Sequence, residues 1–259
     1  MTEKKVKKSI KTTWLTLLFW LLGLLVLHLV SRIFEVKITV VDMLISNLLA
    51  IGWILLINWR YTKEKIYFNW FGFKRFGWLA LFMPLYIIAI NALFRTIPSE
   101  TSLRISLDPF FWLFYVLSTS SIPIVVFFSV ILPSLLHNWK TDNVIIKSVV
   151  VSSFLYSAFQ VYLLNDFYGG VLETIYQVTA GFTLGLICAL LYLRTVNIMV
   201  PIFFSFIETF CAVILNHIAP IFGSGLLNIV FFALLALVII KSVLRPNNIQ
   251  QIKKDFEVN

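Results

Sequence analysis

The chain has 259 residues, and its 60% apolar and 13% charged composition departs from soluble domains, which are about half apolar and a quarter charged. This composition indicates a polytopic membrane protein and excludes a secreted disulfide scaffold, since Cys188 and Cys211 both lie inside apolar runs. The net charge of +9 does not indicate a nucleic-acid partner, because the lysines and arginines lie at the ends of apolar segments, where they orient membrane proteins.

Eight apolar runs are long enough to cross a bilayer, whose hydrocarbon core needs roughly 20 helical residues. The runs are residues 13–31, 40–59, 77–94, 109–132, 144–164, 170–193, 196–215 and 221–244. No small-residue cleavage site follows the first run, so we interpret it as a retained helix. Between the sixth and seventh runs, Arg194, Asn197 and Pro201 predict a tight turn and a new helix start. The sequence therefore predicts an all-α polytopic membrane protein of about eight transmembrane helices.

The positions of the basic residues predict the orientation. If the N-terminus is cytoplasmic, 17 of the 21 lysines and arginines lie on the cytoplasmic side and 4 on the other. Because cytoplasmic loops are enriched in lysine and arginine, we expect a multi-pass protein of the cell membrane with both termini cytoplasmic. This distribution also favours an even number of spans.

No connection between the runs is long enough to form a soluble domain. We expect a basic N-terminus at 1–12, three spans within 13–108, a core at 109–244 and a short polar tail at 245–259, with both ends of the chain cytoplasmic. The loop at 60–76 alternates aromatic and basic residues, which is typical of a segment anchored in the lipid headgroup layer.

Ionisable residues inside a membrane are costly and are therefore candidates for function. Glu208 lies near the middle of its predicted span, and Glu173 lies near the start of the preceding one. These two residues are the intramembrane acidic candidates. The three histidines, His28, His137 and His217, lie near the ends of runs, which favours interfacial positions.

Neutral polar residues are concentrated in the fourth to seventh runs. Because residues four apart share a helix face, Tyr156 and Gln160 lie on one face, and Ser205 and Thr209 on another. Small and hydroxylic residues commonly mediate helix packing in membranes, so packing is the simplest explanation for each position. It does not explain their concentration in four consecutive spans.

The segment SSFLYSAFQ at 152–160 resembles the S-S-x-x-F-x-x-x-H segment of the CPBP family, the CAAX-protease and bacteriocin-processing membrane proteins also called Abi. Residues 182–185, 191–195 and 201–202 resemble the F-x-x-G, L-Y-x-x-T and P-I patterns of that family. The resemblance covers roughly residues 111–215 and implies a CPBP-like helical bundle.

In the proteases of that family, a glutamate pair in E-E-x-x-x-R and two histidines are thought to activate water, with a metal, for peptide hydrolysis. Carried over by position, Tyr156 stands for the motif phenylalanine, Gln160 for the first histidine and Ser205 for the second. Thr209 stands for the partner Asn or Asp of that second histidine. Residues 123–134, where the glutamate pair would fall, contain no acidic residue and no arginine.

The resemblance thus implies a degenerate member with no catalytic residue, no metal and no cofactor. A rescue by Glu208, Glu173 and His137 would need groups at different depths to converge, and we do not expect it. The leading hypothesis is a non-catalytic regulator or scaffold that binds other membrane proteins, with a sensor histidine kinase as one candidate partner. The alternatives are an active intramembrane metalloprotease, a bacteriocin self-immunity protein and, less favoured, a transporter.

Overall fold

The computed structural model describes residues 40–69, 75, 85–86, 109–139, 143–163, 171–216 and 226–258. This part of the chain is mostly helical and contains no strand. Its helices are α1 (Val40–Ile57), α2 (Pro109–Ile124), α3 (Leu132–Asn138), α4 (Val144–Leu163), α5 (Val171–Thr195), α6 (Met199–Asn216), α7 (Leu226–Val243) and α8 (Pro246–Asp255). The predicted spans 13–31 and 77–94 lie outside the described residues, except for Leu85 and Tyr86.

Helices α1, α2 and α4 to α7 coincide with six of the predicted apolar runs, with ends that differ by a few residues. The turn predicted between the sixth and seventh runs is confirmed, because α5 ends at Thr195 and α6 begins at Met199. The fourth run differs most. It continues beyond residue 132 through a π-helical segment, Val125–Ile131, into α3, which ends at Asn138.

The extension of the fourth run has a physical reason. Pro123 and Pro133 would each remove a hydrogen bond from an α-helix and crowd the preceding turn. The wider turns of the π segment lie between these prolines, and Leu132 N donates to Phe127 O, five residues back. The helix therefore continues past Pro133 and ends at Asn138.

Helix α5 lies at the centre of the described bundle. Every residue from Ile187 to Leu193 is buried, which is typical of a helix surrounded on all sides. Helices α4, α6 and α7 pack on α5, and α2 packs on both α1 and α6. Helices α4 and α6, which carry the motif positions, therefore both pack on α5.

Among the described residues, two helical stretches are long and apolar enough to cross a membrane, Val116–Asn138 and Val178–Thr195. A third is reached if Phe232–Val243 and Pro246–Asp255, which meet at an angle of 80°, form one bent span. The apolar stretches Val144–Phe159 and Met199–Phe210 are shorter. The described part of the chain thus contains two to three such spans, and not eight.

At one end of the bundle, the turn between α5 and α6 pairs with the segment after α1. Asn69 N donates to Val196 O and Ile198 N donates to Tyr67 O, each at 3.1 Å. Val196 has a φ of 53°, which a β-branched residue rarely adopts. The pairing on both sides of Val196 holds this strained backbone in place.

The tail forms α8 and folds back onto the bundle. The sequence predicted only that it is short and polar. Ile252 and Phe256 are 1% and 0% exposed. The Phe256 ring lies between Tyr67 and Tyr192, with centroid separations of 4.6 and 5.5 Å. The tail is therefore part of the packed structure.

Candidate functional site

The serine-rich face of α4 packs closely on the glycines of α5. A Cβ added to Gly185 would lie 3.1 Å from both Ser153 Cα and Ser153 O, and 3.1 Å from Tyr156 Cδ1. The Ser157 hydroxyl donates to Val178 O at 2.5 Å. These small residues let the two backbones approach, as small residues do in membrane helix pairs.

Tyr156, which stands at the motif phenylalanine, is fully buried. Its ring packs against Phe127 and Phe128 of the π segment, with centroids 6.2 and 5.4 Å away. This π segment lies where the resemblance would place the glutamate pair. In this chain the region holds aromatic and aliphatic side chains and one serine, Ser129, whose hydroxyl donates to Val125 O, and none of these groups is a carboxylate.

Hydroxyl and amide groups link α1 to α2 and α2 to α6. Asn47 Nδ2 of α1 donates to Ser118 Oγ at 3.0 Å and to Thr119 Oγ1 at 2.9 Å on α2. The hydroxyls of Ser120 and Thr209 hydrogen-bond at 3.3 Å and join α2 to α6. Thr209, which stands at the motif Asn or Asp, is thereby part of an interhelical contact.

The other positions of interest have different surroundings. Ser205 and Glu208 are both buried, each at 3% exposure. Glu208 lies within electrostatic range of the fully buried Cys188 on α5. Gln160 and Glu173 belong to α4 and α5, but their side chains lie outside the described part of the structure.

The residues that the structure describes contain no group of three or more histidine, cysteine, aspartate or glutamate side chains that could hold a metal. His137 does not join Glu208. Its Nδ1 lies 3.1 Å from Glu64 Oε2, and its Nε2 lies 2.7 Å from Phe256 O. His137 therefore belongs to a polar contact at the end of the bundle, where an interfacial position was predicted.

We call this contact the end junction, made of Glu64, His137 and Phe256. Glu64 is fixed by Asn58, whose side chain donates to Glu64 O at 2.8 Å and accepts from Glu64 N at 3.1 Å. The backbone N–H of Tyr67 donates to the Tyr192 hydroxyl at 3.3 Å beside it. Two further contacts hold the tail: Arg75 pairs with Asp255, and Arg194 Nη1 donates to Asn248 Oδ1 at 2.7 Å.

Sequence reasoning missed Glu64 and Phe256 as members of this junction. Their partner His137 is 73 residues from Glu64 and 119 residues from Phe256, so no local spacing could reveal the contact. The sequence did mark the loop at 60–76, through its alternation of aromatic and basic residues. Tyr67 of that loop is buried, and its burial, together with the nearby charges of Glu257, Glu64 and Asp255, raises the pKa of its phenol.

The chain matches no known family model, no curated protein and no solved structure. The described part of the chain is that of a mostly helical protein, with two to three helices that are long and apolar enough to cross a membrane. The motif positions whose side chains the structure describes hold the buried Tyr156 and Ser205 and the partly buried Thr209.

Proposed function

We propose that this chain is a non-catalytic, CPBP-like membrane protein that regulates or scaffolds other membrane proteins by binding them. Its proposed arrangement is eight spans with both termini on the cytoplasmic side of the cell membrane. The eight apolar runs and the uneven distribution of basic residues support this arrangement.

One observation carries the proposal: the polar side chains around the motif positions are engaged in helix packing. Thr209 contacts Ser120, Ser157 donates to a backbone carbonyl of α5, and Tyr156 lies in an aromatic cluster. Groups that are used in this way stabilise a bundle. Hydrolysis would need a general base and a group that activates water. The glutamine, serine and threonine at the motif positions do not titrate near neutral pH, so they cannot supply that base.

The bundle offers apolar faces through which a membrane partner could bind. Leu49 of α1, Phe154 of α4 and Leu237 of α7 are each more than half exposed. Lipid tails cover such faces by default, and close packing of a second protein can replace lipid there. Following the resemblance, the partner class that we favour is a sensor histidine kinase.

Photo-crosslinking in native membranes tests this proposal. A photoreactive amino acid is placed at Leu49, Phe154 or Leu237, and at Leu184, which is 1% exposed, as the buried control. We expect one exposed position to trap a discrete membrane protein in its intact form. The control position should trap none, because no partner can reach the interior.

A parallel sample replaces Gln160, Ser205, Glu208 and Thr209 together by alanine. A scaffold whose motif positions serve only in packing should capture the same partner, provided that the variant remains folded. If the wild-type chain yields a cleaved partner and the quadruple variant does not, the non-catalytic proposal is wrong. If no exposed position traps a protein, the binding proposal fails.

An active intramembrane protease is the second candidate, and a single observation favours it. Glu208 is a buried carboxyl group beside the motif positions Ser205 and Thr209. A buried acid can serve in proton transfer when a second group assists it. The effect of Glu208→Gln on function separates this role from a structural one.

A further inference from the structure

The end junction places acceptors at both nitrogens of one imidazole. The Glu64 carboxylate faces Nδ1 at 3.1 Å, and the Phe256 carbonyl faces Nε2 at 2.7 Å. A neutral imidazole carries one N–H and can donate to one of these groups, whereas a protonated imidazole donates to both. Both contacts are therefore hydrogen bonds only when His137 carries its second proton.

The charged groups around the junction favour that proton. Glu64 faces His137 from the loop after α1, and Glu257 adds a second negative charge from the tail. Asp255 on the tail is paired with Arg75, and Lys65 lies over the Tyr67 ring at 5.1 Å from its centroid. The described part of α3 contributes no other charged side chain.

The junction acts directly on the C-terminal helix. The carbonyl that His137 contacts belongs to Phe256, whose ring is fully buried between Tyr67 and Tyr192. On the opposite side, Asn58 holds Glu64 through two hydrogen bonds. His137 thus connects the end of α3 with Glu64 of the loop and with Phe256 of the tail.

We propose that His137 is a proton-operated latch that holds the C-terminal helix α8 against the bundle, so that loss of the proton weakens docking of α8. Deprotonation removes one of the two hydrogen bonds and leaves an acceptor without its donor. The direction follows from this chemistry: docking is stronger while the imidazole is protonated and weakens as pH rises through the imidazole titration. Ile252, Asn248 and Asp255 still hold α8 on the bundle when His137 loses its proton. Deprotonation therefore lowers the docked fraction of α8 and does not release the helix completely.

Hydrogen exchange of the α8 amides measures that equilibrium in the full chain. A helix of ten residues is marginal alone in water, so its amides exchange when α8 leaves the bundle. The chain in lipid nanodiscs is compared at about pH 5.5 and about pH 8.5, on either side of the ordinary imidazole titration. Protection is corrected for intrinsic exchange, and the amides of α5 serve as the internal reference.

We expect protection of α8 to fall by about tenfold between the two conditions, since a charge-assisted hydrogen bond is lost. The reference amides of α5 should not change. In His137→Gln, protection of α8 should no longer depend on pH, and in Glu64→Gln the dependence should be smaller. A combined His28→Gln and His217→Gln variant should retain the full pH dependence.

Two results would contradict the proposed role of His137. The first is α8 protection in the wild-type chain that does not change with pH. The second is a pH dependence that persists unchanged in His137→Gln. Should His137→Gln fail to fold, Glu64→Gln decides, because it keeps the histidine and removes only the carboxylate. An undiminished pH dependence in Glu64→Gln would then contradict the proposal.

Discussion

Gly185 is the residue at which α4 and α5 approach most tightly among the described glycines. A Cβ there meets the backbone of Ser153 at 3.1 Å, and the helix backbone cannot give way cheaply. We expect Gly185→Ala to destabilise the bundle by about 1–3 kcal/mol, as other overpacked interiors do. Unfolding of the purified protein in detergent, followed by circular dichroism, measures this change.

Gly52 supplies the matched control for that substitution. A Cβ added to Gly52 has no neighbour within 4 Å, although the glycine also lies inside a helix. Gly52→Ala should therefore change stability by less than about 1 kcal/mol. Equal effects of the two substitutions would show that the α4–α5 contact is not as close as described.

Glu208 carries a buried carboxyl group whose role a single substitution can test. If its carboxyl group is a structural hydrogen-bonding acid, Glu208→Gln keeps its shape and its ability to hydrogen-bond. We expect folding and partner capture to remain nearly unchanged, with a stability difference within about 1 kcal/mol. Glu208→Ala serves for comparison, since it also empties a buried site. Loss of function in a folded Glu208→Gln protein would instead indicate a charged role.

At the scale of elements, one amide links α1 to α2. Asn47 donates to two hydroxyls, on Ser118 and Thr119. Interhelical hydrogen bonds in membranes contribute about 1 kcal/mol, so Asn47→Ala should destabilise the α1–α2 pair by about that amount. A double-mutant cycle with Thr119→Val isolates the interaction energy. Leu48→Ala, at an exposed neighbouring position, is the control, and a coupling energy of zero would contradict the described contact.

Hydropathy predicted the positions of α1, α2 and α4 to α7 well, because the length and apolar character of a run are local properties of the sequence. It failed where neighbouring elements decide the outcome. The π segment between Pro123 and Pro133 lets one helix continue past an expected end at residue 132. The docking of α8 depends on an aromatic pocket made by Tyr67 and Tyr192, which exists only after folding.

At the scale of the whole molecule, the sequence predicted a helical membrane protein, and the described part of the chain is mostly helical with two to three apolar helices long enough to span. The eight-span count and the orientation remain predictions. The resemblance gave Tyr156, Ser205 and Thr209 as motif positions. It could not show that Thr209 contacts Ser120 or that Tyr156 packs on Phe128, because these pairings join distant segments.

If this bundle binds membrane proteins without cleaving them, it creates no new protein N-terminus in the membrane. The most direct test is a quantitative comparison of new protein N-termini in membranes of cells with the wild-type chain, with the quadruple alanine variant, and without the chain. We expect the same set of N-termini in all three samples. A cleavage within a membrane protein that requires the wild-type chain and is absent from the variant would contradict it.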